Sequence, residues 1–405
     1  MKKRHQLFQI LKAVRRRLTG QPIRVGFVCH MPSIWGKLSP LYRLLRDSPE
    51  FETLLIACPY RHRSFGDRDY HDGGMFEFLQ KEEQTIPIKG YDETTDRWIS
   101  LRNLSLDCVF FQTPYQETQF PKDFSSRSVS RHTRICYVPY HGTLIYKGEV
   151  EKTTHPEPFF RNVNMAFLGN APECEYLSSR FPHLGIEKGS FATGSPMNDS
   201  LLGKPAKEDG SWNLPRSDSR KRILWTPRWT TREGNCHFFQ YKDYFLDIAA
   251  KRNDVDFLFR PHPLMFQNLA TTGEMPMEDQ TRMIEIYDSL PNTSINNSGN
   301  YQNIFLTSDV LISDMSSIMA EYFVTGKPIV YTHREASFNE FGARLSEGFY
   351  WARNEEELDR VLGELIRGND PLREKRASLT RELFRLPEGG ASSAIADILK
   401  SRALR

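Results

Sequence analysis

The sequence lacks several features that would place it in a common class. No run of about 18 apolar residues occurs among its 405 residues, so no membrane-spanning helix is predicted. There is no CxxC pair or Cys/His cluster, and the six scattered cysteines predict reduced, buried thiols rather than disulfides or a zinc site. The GxxxxGK[ST], GxGxxG and GxSxG motifs are also missing, which argues against a P-loop, a dinucleotide fingerprint and a serine-hydrolase nucleophile.

Acidic residues are missing from residues 1–20, which hold seven Lys and Arg side chains. The net charge of the whole chain is +3, so the remainder is net acidic, which argues against nucleic acid as a partner. Leu7, Leu11 and Leu18 lie on one apolar stripe at helical spacing. This segment is predicted to be a basic amphipathic helix on an anionic membrane surface, and the alternative is a solvated helix packed on its own domain.

The length and the repeated pattern of strands and helices predict two α/β domains. Apolar, β-branched segments alternate with amphipathic ones, which is typical of parallel sheets covered on both faces; one predicted helix covers residues 97–103. An N-terminal Rossmann-like domain is predicted for 21–202, a polar linker for 203–221, a C-terminal domain for 222–387 and a final helix for 388–405. Ligands of such domains bind at the carboxyl ends of the strands, here predicted to face a central cleft.

The strongest local signal is the segment DVLISDMSSIMAEYFVTGKPIVY, residues 309–331. A buried strand runs through a polar turn into a helix predicted for 317–325, and either Ser316 or Ser317 can cap that helix. Free N–H groups at a helix start bind anions such as a diphosphate, although serine caps also occur without any ligand. Glu321 lies one turn further on the same helix face, where it would either contact a ribose hydroxyl or remain a solvated carboxylate.

Two further strand ends carry groups suited to phosphate. In FRPHP, Arg260 and His262 leave a strand on a chain stiffened by two prolines, although a structural histidine in a proline-rich turn is the alternative. In LWTPRWTTR, a hydroxyl and two guanidinium groups come from Thr226, Arg228 and Arg232. Three strand ends of the C-terminal domain therefore present phosphate-binding chemistry.

The N-terminal domain offers a candidate base and acceptor groups. His141 precedes Gly142 at a sharp turn after a strand, and an imidazole is a natural base for an acceptor hydroxyl, although a lone histidine is usually not catalytic. The residues that follow another strand, and that could line an acceptor site, are Arg61, His62 and Arg63. Asp67 and Asp69 form a D-x-D pair that is weak evidence for a metal, so no metal is predicted.

Taken together, these segments resemble the CDP-glycerol glycerophosphotransferases, the family of teichoic acid primases and polymerases and related capsule-polymer transferases. The matching pieces occur in the family's order over about 260 residues. They are YHGT (140–143), ATGSPMND (192–199), TPRW (226–229), RPHP (260–263), SDVLISDMSSIMAEYFVTGKPIVY (308–331) and EGGASSAIADIL (388–399). The sequence departs from the family at Met197 and Met315, where arginine and an aromatic residue are common.

The resemblance implies a GT-B fold and a cytoplasmic enzyme peripheral to the inner face of the cell membrane. It implies transfer of glycerol phosphate, or a related alditol phosphate, from CDP-glycerol to a hydroxyl of a lipid-linked polyol phosphate or saccharide, with release of CMP and no required cofactor. The matching positions imply His141 as general base and His262 as a second essential histidine. The implied donor-phosphate contacts are Thr226, Arg228, Ser316 and Ser317.

Three other functions remain open from the sequence. A GT-B glycosyltransferase that uses a nucleotide sugar would employ His141 in the same way, but most forms would release a nucleoside diphosphate. A nucleotide-sugar epimerase on the same two-domain fold would need no acceptor. A binding module for anionic polymers is the third, and the several phosphate-type strand ends argue against it.

Overall fold

In the computed structural model, the chain divides into two units. The described residues are 20–61, 69–143, 145–147, 154–202, 210–217, 219–231, 236–296, 301–332, 338–384 and 387–403. The N-terminal unit consists of the described residues within 1–144, 148–200 and 386–405, and the C-terminal unit of those within 145–147 and 201–385. The final part of the chain thus belongs to the unit in which the chain begins.

The N-terminal unit is built on a seven-stranded parallel sheet with the order β3-β2-β1-β6-β7-β8-β9. Its strands are β1 (Ile23–Cys29), β2 (Phe51–Ala57), β3 (Ile88–Lys89), β6 (Cys108–Phe111), β7 (Arg134–Tyr137), β8 (Met165–Leu168) and β9 (Ser190–Ala192). A separate antiparallel hairpin is formed by β4 (Tyr91–Asp92) and β5 (Arg97–Trp98). The central strands β6 and β8 are buried along their whole length because helices cover both faces.

Most helices of this unit contribute apolar side chains to the cores that contain the strands. They are α1 (Pro32–Trp35), α2 (Ser39–Arg46), α3 (Met75–Glu83), α4 (Gln116–Gln119), α5 (Ser126–Val129), α6 (Glu157–Phe160), α7 (Ala171–Arg180) and α8 (Asn198–Leu201). Short 3-10 helices occur at Leu101–Leu104, Lys122–Phe124 and Pro182–Leu184. At the start of α7, the Asn170 side chain accepts a hydrogen bond from the Glu173 N–H, at 2.9 Å.

The C-terminal unit has a six-stranded parallel sheet with the order β12-β11-β10-β13-β14-β15. The strands are β10 (Lys221–Thr226), β11 (Val255–Phe259), β12 (Thr293–Ile295), β13 (Val310–Ser313), β14 (Ile329–Tyr331) and β15 (Tyr350–Trp351). The helices are α9 (Phe238–Lys251), α10 (Met265–Thr272), α11 (Met277–Ser289), α12 (Gln302–Thr307), α13 (Ile318–Phe323), α14 (Glu340–Ser346), α15 (Glu355–Ile366) and α16 (Arg373–Phe384). The order of the strands reverses between β10 and β13, and such a switch point is where ligands of open α/β sheets bind.

The final helix, α17 (Gly390–Ala403), packs on α2 in the N-terminal unit. Ile395 and Leu399 enter the same core as the strands of that unit. Asp199 accepts hydrogen bonds from the N–H groups of Ala391 and Ser392, at 2.8 and 2.7 Å. Two of the segments that resemble the family, 192–199 and 388–399, therefore meet at the start of this helix.

Some predictions from the sequence need correction. The predicted helix over 97–103 is wrong, because Trp98 pairs with Tyr91 in the hairpin and a 3-10 helix follows. Residues 1–19, and with them almost all of the predicted membrane-surface helix, lie outside the described residues, as do 203–209 of the predicted linker. In the described part of the chain, no helix is long and apolar enough to cross a membrane.

Candidate active site

The switch point of the C-terminal unit joins the ends of β10 and β13. Thr226 and Ser313 are register partners there, and both are buried. The Thr226 hydroxyl donates to Ser313 Oγ at 3.0 Å, and the Ser313 hydroxyl donates to the Thr226 carbonyl at 2.8 Å. The hydroxyl hydrogen of Thr226 is thus engaged within the sheet, so this side chain would have to release Ser313 before it could donate to a phosphate.

Asp314 follows β13 and ties the two strand ends together. Its carboxylate accepts hydrogen bonds from the N–H groups of Arg228, at 2.6 Å, and His237, at 2.9 Å. Burial raises the pKa of Asp314 to about 7, while these two N–H groups and the Arg228 charge oppose the rise. Asp314 is not among the site residues predicted from the sequence, although its position directly after a buried strand could have indicated it.

Arg228 is half-buried and lies over the turn that follows β13. Its guanidinium donates to the Met315 carbonyl at 2.9 Å, next to the serine pair. Since its backbone is also held by Asp314, both ends of this residue are fixed to the turn. A guanidinium fixed in this way loses little freedom when it binds an anion.

The serine pair is only partly used for capping. Ser317 occupies the N-cap position of α13 in a helical conformation, and its side chain makes no capping hydrogen bond. Ser316 Oγ accepts a hydrogen bond from the Ile318 N–H at 3.3 Å. Both serines are partly exposed, and the helix is shorter than the predicted 317–325.

Arg260 is buried beside an amide and an aromatic ring. Its guanidinium donates to Asn296 Oδ1 at 2.8 Å and lies 4.9 Å from the centre of the Tyr301 ring. Burial lowers the pKa of Arg260 to about 10, so it still carries its charge at neutral pH. The Tyr301 hydroxyl donates to Glu321 at 2.6 Å, and Glu321 is only 3% exposed. The alternative that Glu321 is a solvated carboxylate is therefore wrong, while its contact with a ribose remains a prediction.

His262 is exposed at the turn after β11. Its Nδ1 accepts a hydrogen bond from the Leu264 N–H at 3.2 Å, and its ring lies 6.1 Å from that of Trp229. A neutral ring that accepts at Nδ1 carries its proton on Nε2. His262 therefore presents an N–H donor at its outer nitrogen.

In the N-terminal unit, His141 follows β7 and is only 6% exposed. Within the described residues, neither of its ring nitrogens has a hydrogen-bond partner. Burial, together with His155 and Lys37, lowers the pKa of His141 to about 3, so the imidazole is neutral at physiological pH. Gly142 has a φ of +67°, the left-handed backbone that glycine adopts without strain.

The other candidate acceptor groups are only partly described. Arg61 is half-buried, and its guanidinium lies 4.5 Å from the centre of the Tyr70 ring. The remaining candidates that lie outside the described residues are His62, Arg63, Asp67 and Arg232. Within the described part of the chain, no three His, Cys, Asp or Glu side chains come together as a group able to hold a metal ion.

The structure thus divides the predicted site residues between the two units. The C-terminal unit collects Arg228, Ser316 and Ser317 at one switch point, with Arg260 and Glu321 joined through Tyr301. His141, Gly142 and Arg61 belong to the N-terminal unit. Asp314, Asn296 and Tyr301 are additions that the sequence analysis missed.

Comparison with known proteins identifies the family of the chain. Residues 175–400 match the family model described as CDP-glycerol:poly(glycerophosphate) glycerophosphotransferase, and this match spans more than half of the chain. The chain belongs to this family. The match includes the β10–β13 switch point and α17, but it begins after His141.

Curated relatives of this glycerophosphotransferase family chain include two teichoic acid proteins. The teichoic acid ribitol-phosphate polymerase TarL of Staphylococcus aureus is 27% identical over 181 residues, which are 42% of this chain and 29% of TarL. The minor teichoic acid biosynthesis protein GgaB of Bacillus subtilis is 25% identical over 252 residues, which are 53% of this chain and 25% of GgaB. The matches thus span less than a third of each relative's length.

Solved structures confirm the predicted GT-B fold. A structure of the wall teichoic acid polymerase TagF is 16% identical, covers 98% of this chain and 97% of that one, and superposes with a TM-score of 0.61. The UDP-GlcNAc 2-epimerase of Neisseria meningitidis, bound to UDP-GlcNAc, is 14% identical, covers 94% of this chain and 100% of that one, and has a TM-score of 0.59. At these identities, the likeness concerns the fold alone.

Proposed function

We propose that this chain transfers an alditol phosphate, glycerol phosphate in the first instance, from a CDP-activated donor to a hydroxyl of a teichoic-acid-type or capsule-type polymer. The observation that carries the proposal is the β10–β13 switch point. There Arg228 lies over the turn that holds the partly exposed pair Ser316 and Ser317, in a chain of the glycerophosphotransferase family. Guanidinium and hydroxyl groups at strand ends suit a diphosphate.

On the donor side, positive charge and N–H donors would hold the CDP diphosphate. The fixed Arg228 guanidinium would bind one phosphate, and the Ser317 hydroxyl, which no capping bond occupies, would donate to it. His262 would contribute its Nε2–H, and the buried Arg260 a positive charge. These groups would neutralise the charge that develops on the phosphates during transfer. Glu321 would accept from a ribose hydroxyl.

In the proposed reaction, the acceptor hydroxyl attacks the distal phosphorus of CDP-glycerol in line. A bond forms between the acceptor oxygen and that phosphorus, the bond from the phosphorus to the bridging oxygen breaks, and CMP leaves with the electron pair. The hydroxyl proton passes to His141 and then to solvent. The protein mainly positions the reactants and stabilises charge, and the reaction as written requires no cofactor.

The state of His141 supports its role as the base. With its pKa lowered to about 3, the ring is neutral and can take up a proton. A negatively charged substrate group bound beside His141 would favour the imidazolium and raise this pKa towards neutrality, where general base catalysis is efficient.

The acceptor is proposed to be a lipid-linked polyol phosphate or saccharide at the cytoplasmic face of the membrane. The similarity to a teichoic acid ribitol-phosphate polymerase supports a polymer of alditol phosphates. The seven basic side chains of residues 1–20 would attract the chain to anionic lipid. Candidate acceptor contacts are Arg61, His62, Arg63 and Gly142.

The released nucleotide tests this function. The purified chain is incubated with CDP-glycerol, CDP-ribitol and UDP-GlcNAc, with and without an acceptor polymer, and the nucleotides are separated. We expect CMP, and only when the acceptor is present. Release of UDP would instead indicate a glycosyltransferase, and conversion of UDP-GlcNAc without acceptor an epimerase.

His141→Ala should abolish transfer and leave donor binding unchanged, because the proposed role of this residue is to move a proton. His183→Ala is the matched control, since His183 is an exposed histidine of the same unit. Donor binding is measured as protection against thermal unfolding. Near-normal turnover by His141→Ala would refute the assignment of the base.

A further inference from the structure

Three neighbouring strands of the N-terminal unit end at buried polar groups that have no hydrogen-bond partner among the described residues. His141 follows β7, Glu173 lies in the helix after β8, and Ser195 follows β9. Both ring nitrogens of His141, both carboxyl oxygens of Glu173 and the Ser195 hydroxyl are unpartnered in this sense, as is the amide nitrogen of the Asn170 side chain. Each of these four residues is only 6% exposed.

Backbone contacts hold the three strand ends against one another. A side chain on Gly169, at the end of β8, would overlap Thr143, so the two turns are in close contact. The Gly194 N–H donates to the Leu168 carbonyl at 3.0 Å, which places Ser195 beside the same turn. The unpartnered groups therefore share one edge of the sheet.

The helix α7 completes one side of this cluster. The ring of His155 lies 5.0 Å from that of Tyr176, which is one helical turn beyond Glu173. The positive form of His155 also lowers the pKa of His141, so His155 is close to both Tyr176 and His141. The helix α7 and the turn that holds His141 thus share His155 as a neighbour.

Local structure does not account for Glu173. It occupies the third position of α7, where a glutamate often reaches back to the N–H of the capping residue. Asn170 caps this helix through its own side-chain oxygen. The Gly169 backbone N–H lies close enough to Glu173 to lower its pKa, but within the described part of the chain neither carboxyl oxygen accepts a hydrogen bond of normal length and angle. Buried polar groups are normally paired, and unpaired ones often mark a functional role.

The cluster is suited to neutral, hydroxyl-rich ligands. Burial raises the pKa of Glu173 to about 8, although the backbone of Gly169 opposes this, so the carboxyl group is mostly protonated at pH 7. A protonated carboxyl, an amide, a hydroxyl and a neutral imidazole can each bond a hydroxyl group. None of the four brings the positive charge that a phosphate would require.

We propose that Asn170, Glu173 and Ser195 form, beside His141, a subsite for the hydroxyl groups of the acceptor's terminal polyol unit. This inference rests on the proposed function, since it assigns the acceptor end of the same reaction. The amide of Asn170 donates to one hydroxyl, Glu173 and Ser195 bind a second, and the attacking hydroxyl remains next to His141. Residues that follow β8 and β9 thereby orient the polyol.

Acceptor binding without donor provides the test. A synthetic glycerol phosphate trimer is titrated against the full chain by calorimetry. Glu173→Met, which keeps the size of the side chain but not its hydrogen bonds, should weaken trimer binding at least tenfold and raise the unfolding temperature. Glu173→Gln, which is neutral and can donate and accept, should bind the trimer within about threefold of the wild type. Glu175→Met is the matched control, because Glu175 is exposed on the same helix, and it should change neither binding nor unfolding.

Ser195→Ala is a second, smaller change, and it should also weaken trimer binding; it decides the outcome if Glu173→Met does not fold. Equal binding by the wild type, Glu173→Met and Ser195→Ala would overturn the subsite, as would failure of the wild type to bind the trimer. If no CDP-alditol is turned over but Glu173→Met selectively loses the trimer, the subsite stands and the proposed function falls. If transfer proceeds and Glu173→Met leaves the acceptor KM unchanged, the function stands and the subsite falls.

Discussion

Replacement of Glu173 by glutamine should change how the stability of the N-terminal unit depends on pH. The pKa of Glu173 is raised from its ordinary value of 4.5 to about 8 by burial. The folded state therefore holds a proton that the unfolded state releases between these two values, and the stability of the wild type falls as pH rises through this window. The variant cannot ionise at this position, so it should not show this loss.

The size of the effect follows from the two pKa values. One pKa unit corresponds to about 1.4 kcal/mol, so the full difference is about 4 to 5 kcal/mol, of which about 3 kcal/mol develops between pH 5 and 8. The free energy of unfolding of Glu173→Gln, relative to that of the wild type, should increase by this amount over that range. All other ionisable groups are common to both proteins and largely cancel in the comparison.

Urea unfolding at several pH values, followed by hydrogen exchange of the β7, β8 and β9 amides, measures this difference in the relevant unit. Glu175→Gln provides the control, because Glu175 is exposed on the same helix and should show no such trend. A difference between Glu173→Gln and the wild type that stays constant from pH 5 to 8 would show that Glu173 is ionised in the folded protein. The proposed subsite would then carry a negative charge, which contradicts a site for neutral hydroxyl groups.

Three further substitutions test the fold by their unfolding free energies. Asp199→Ala removes the cap of α17 and should cost about 0.5–2 kcal/mol, with loss of amide protection in that helix. Lys327→Met removes three hydrogen bonds to the carbonyls that end α12 and should cost about 2–3 kcal/mol in urea unfolding, whereas the exposed Lys251→Met should be neutral. Gly169→Ala should cost about 1–3 kcal/mol by thermal unfolding because its methyl group overlaps Thr143; an unchanged melting temperature would contradict this close contact.

The elements that the sequence predicted well are those with a clear local pattern. β10, β11 and β13 are short apolar runs bounded by polar turns, and the structure has strands there, with the predicted phosphate-type residues directly after them. The helix prediction for 97–103 was wrong because the apolar spacing of this segment fits a helix. Trp98 pairs with Tyr91, which lies before the segment, so the spacing within the segment does not reveal the strand pair. Pairing between strands overrides such a pattern.

Site residues were predicted where their position relative to a strand determines their role. They were missed where their surroundings depend on a partner that is distant in the sequence. Arg228 and Ser316 could be placed because each lies in the turn that follows a strand. The burial of Glu321 depends on Tyr301, 20 residues away, and the setting of Arg260 depends on Asn296, 36 residues away. Neither separation leaves a periodic signal in the sequence. Glu173 was missed for a related reason, since a glutamate near a helix start is usually explained by capping.

The hydrogen bonds between Asp199 and α17 have a consequence for biosynthesis. They join residues 192 and 193 positions apart, and all of the C-terminal unit except 145–147 lies between them in the chain. During translation, the surface of the N-terminal unit that α17 covers stays exposed until the ribosome has released the C-terminal unit and the residues after it. Contacts between residues so far apart in the chain form slowly, although each further residue between them adds little to the entropy cost of closing the loop. A nascent chain stalled before residue 390 would therefore expose the surface of α2 on which α17 packs and be a preferred chaperone client.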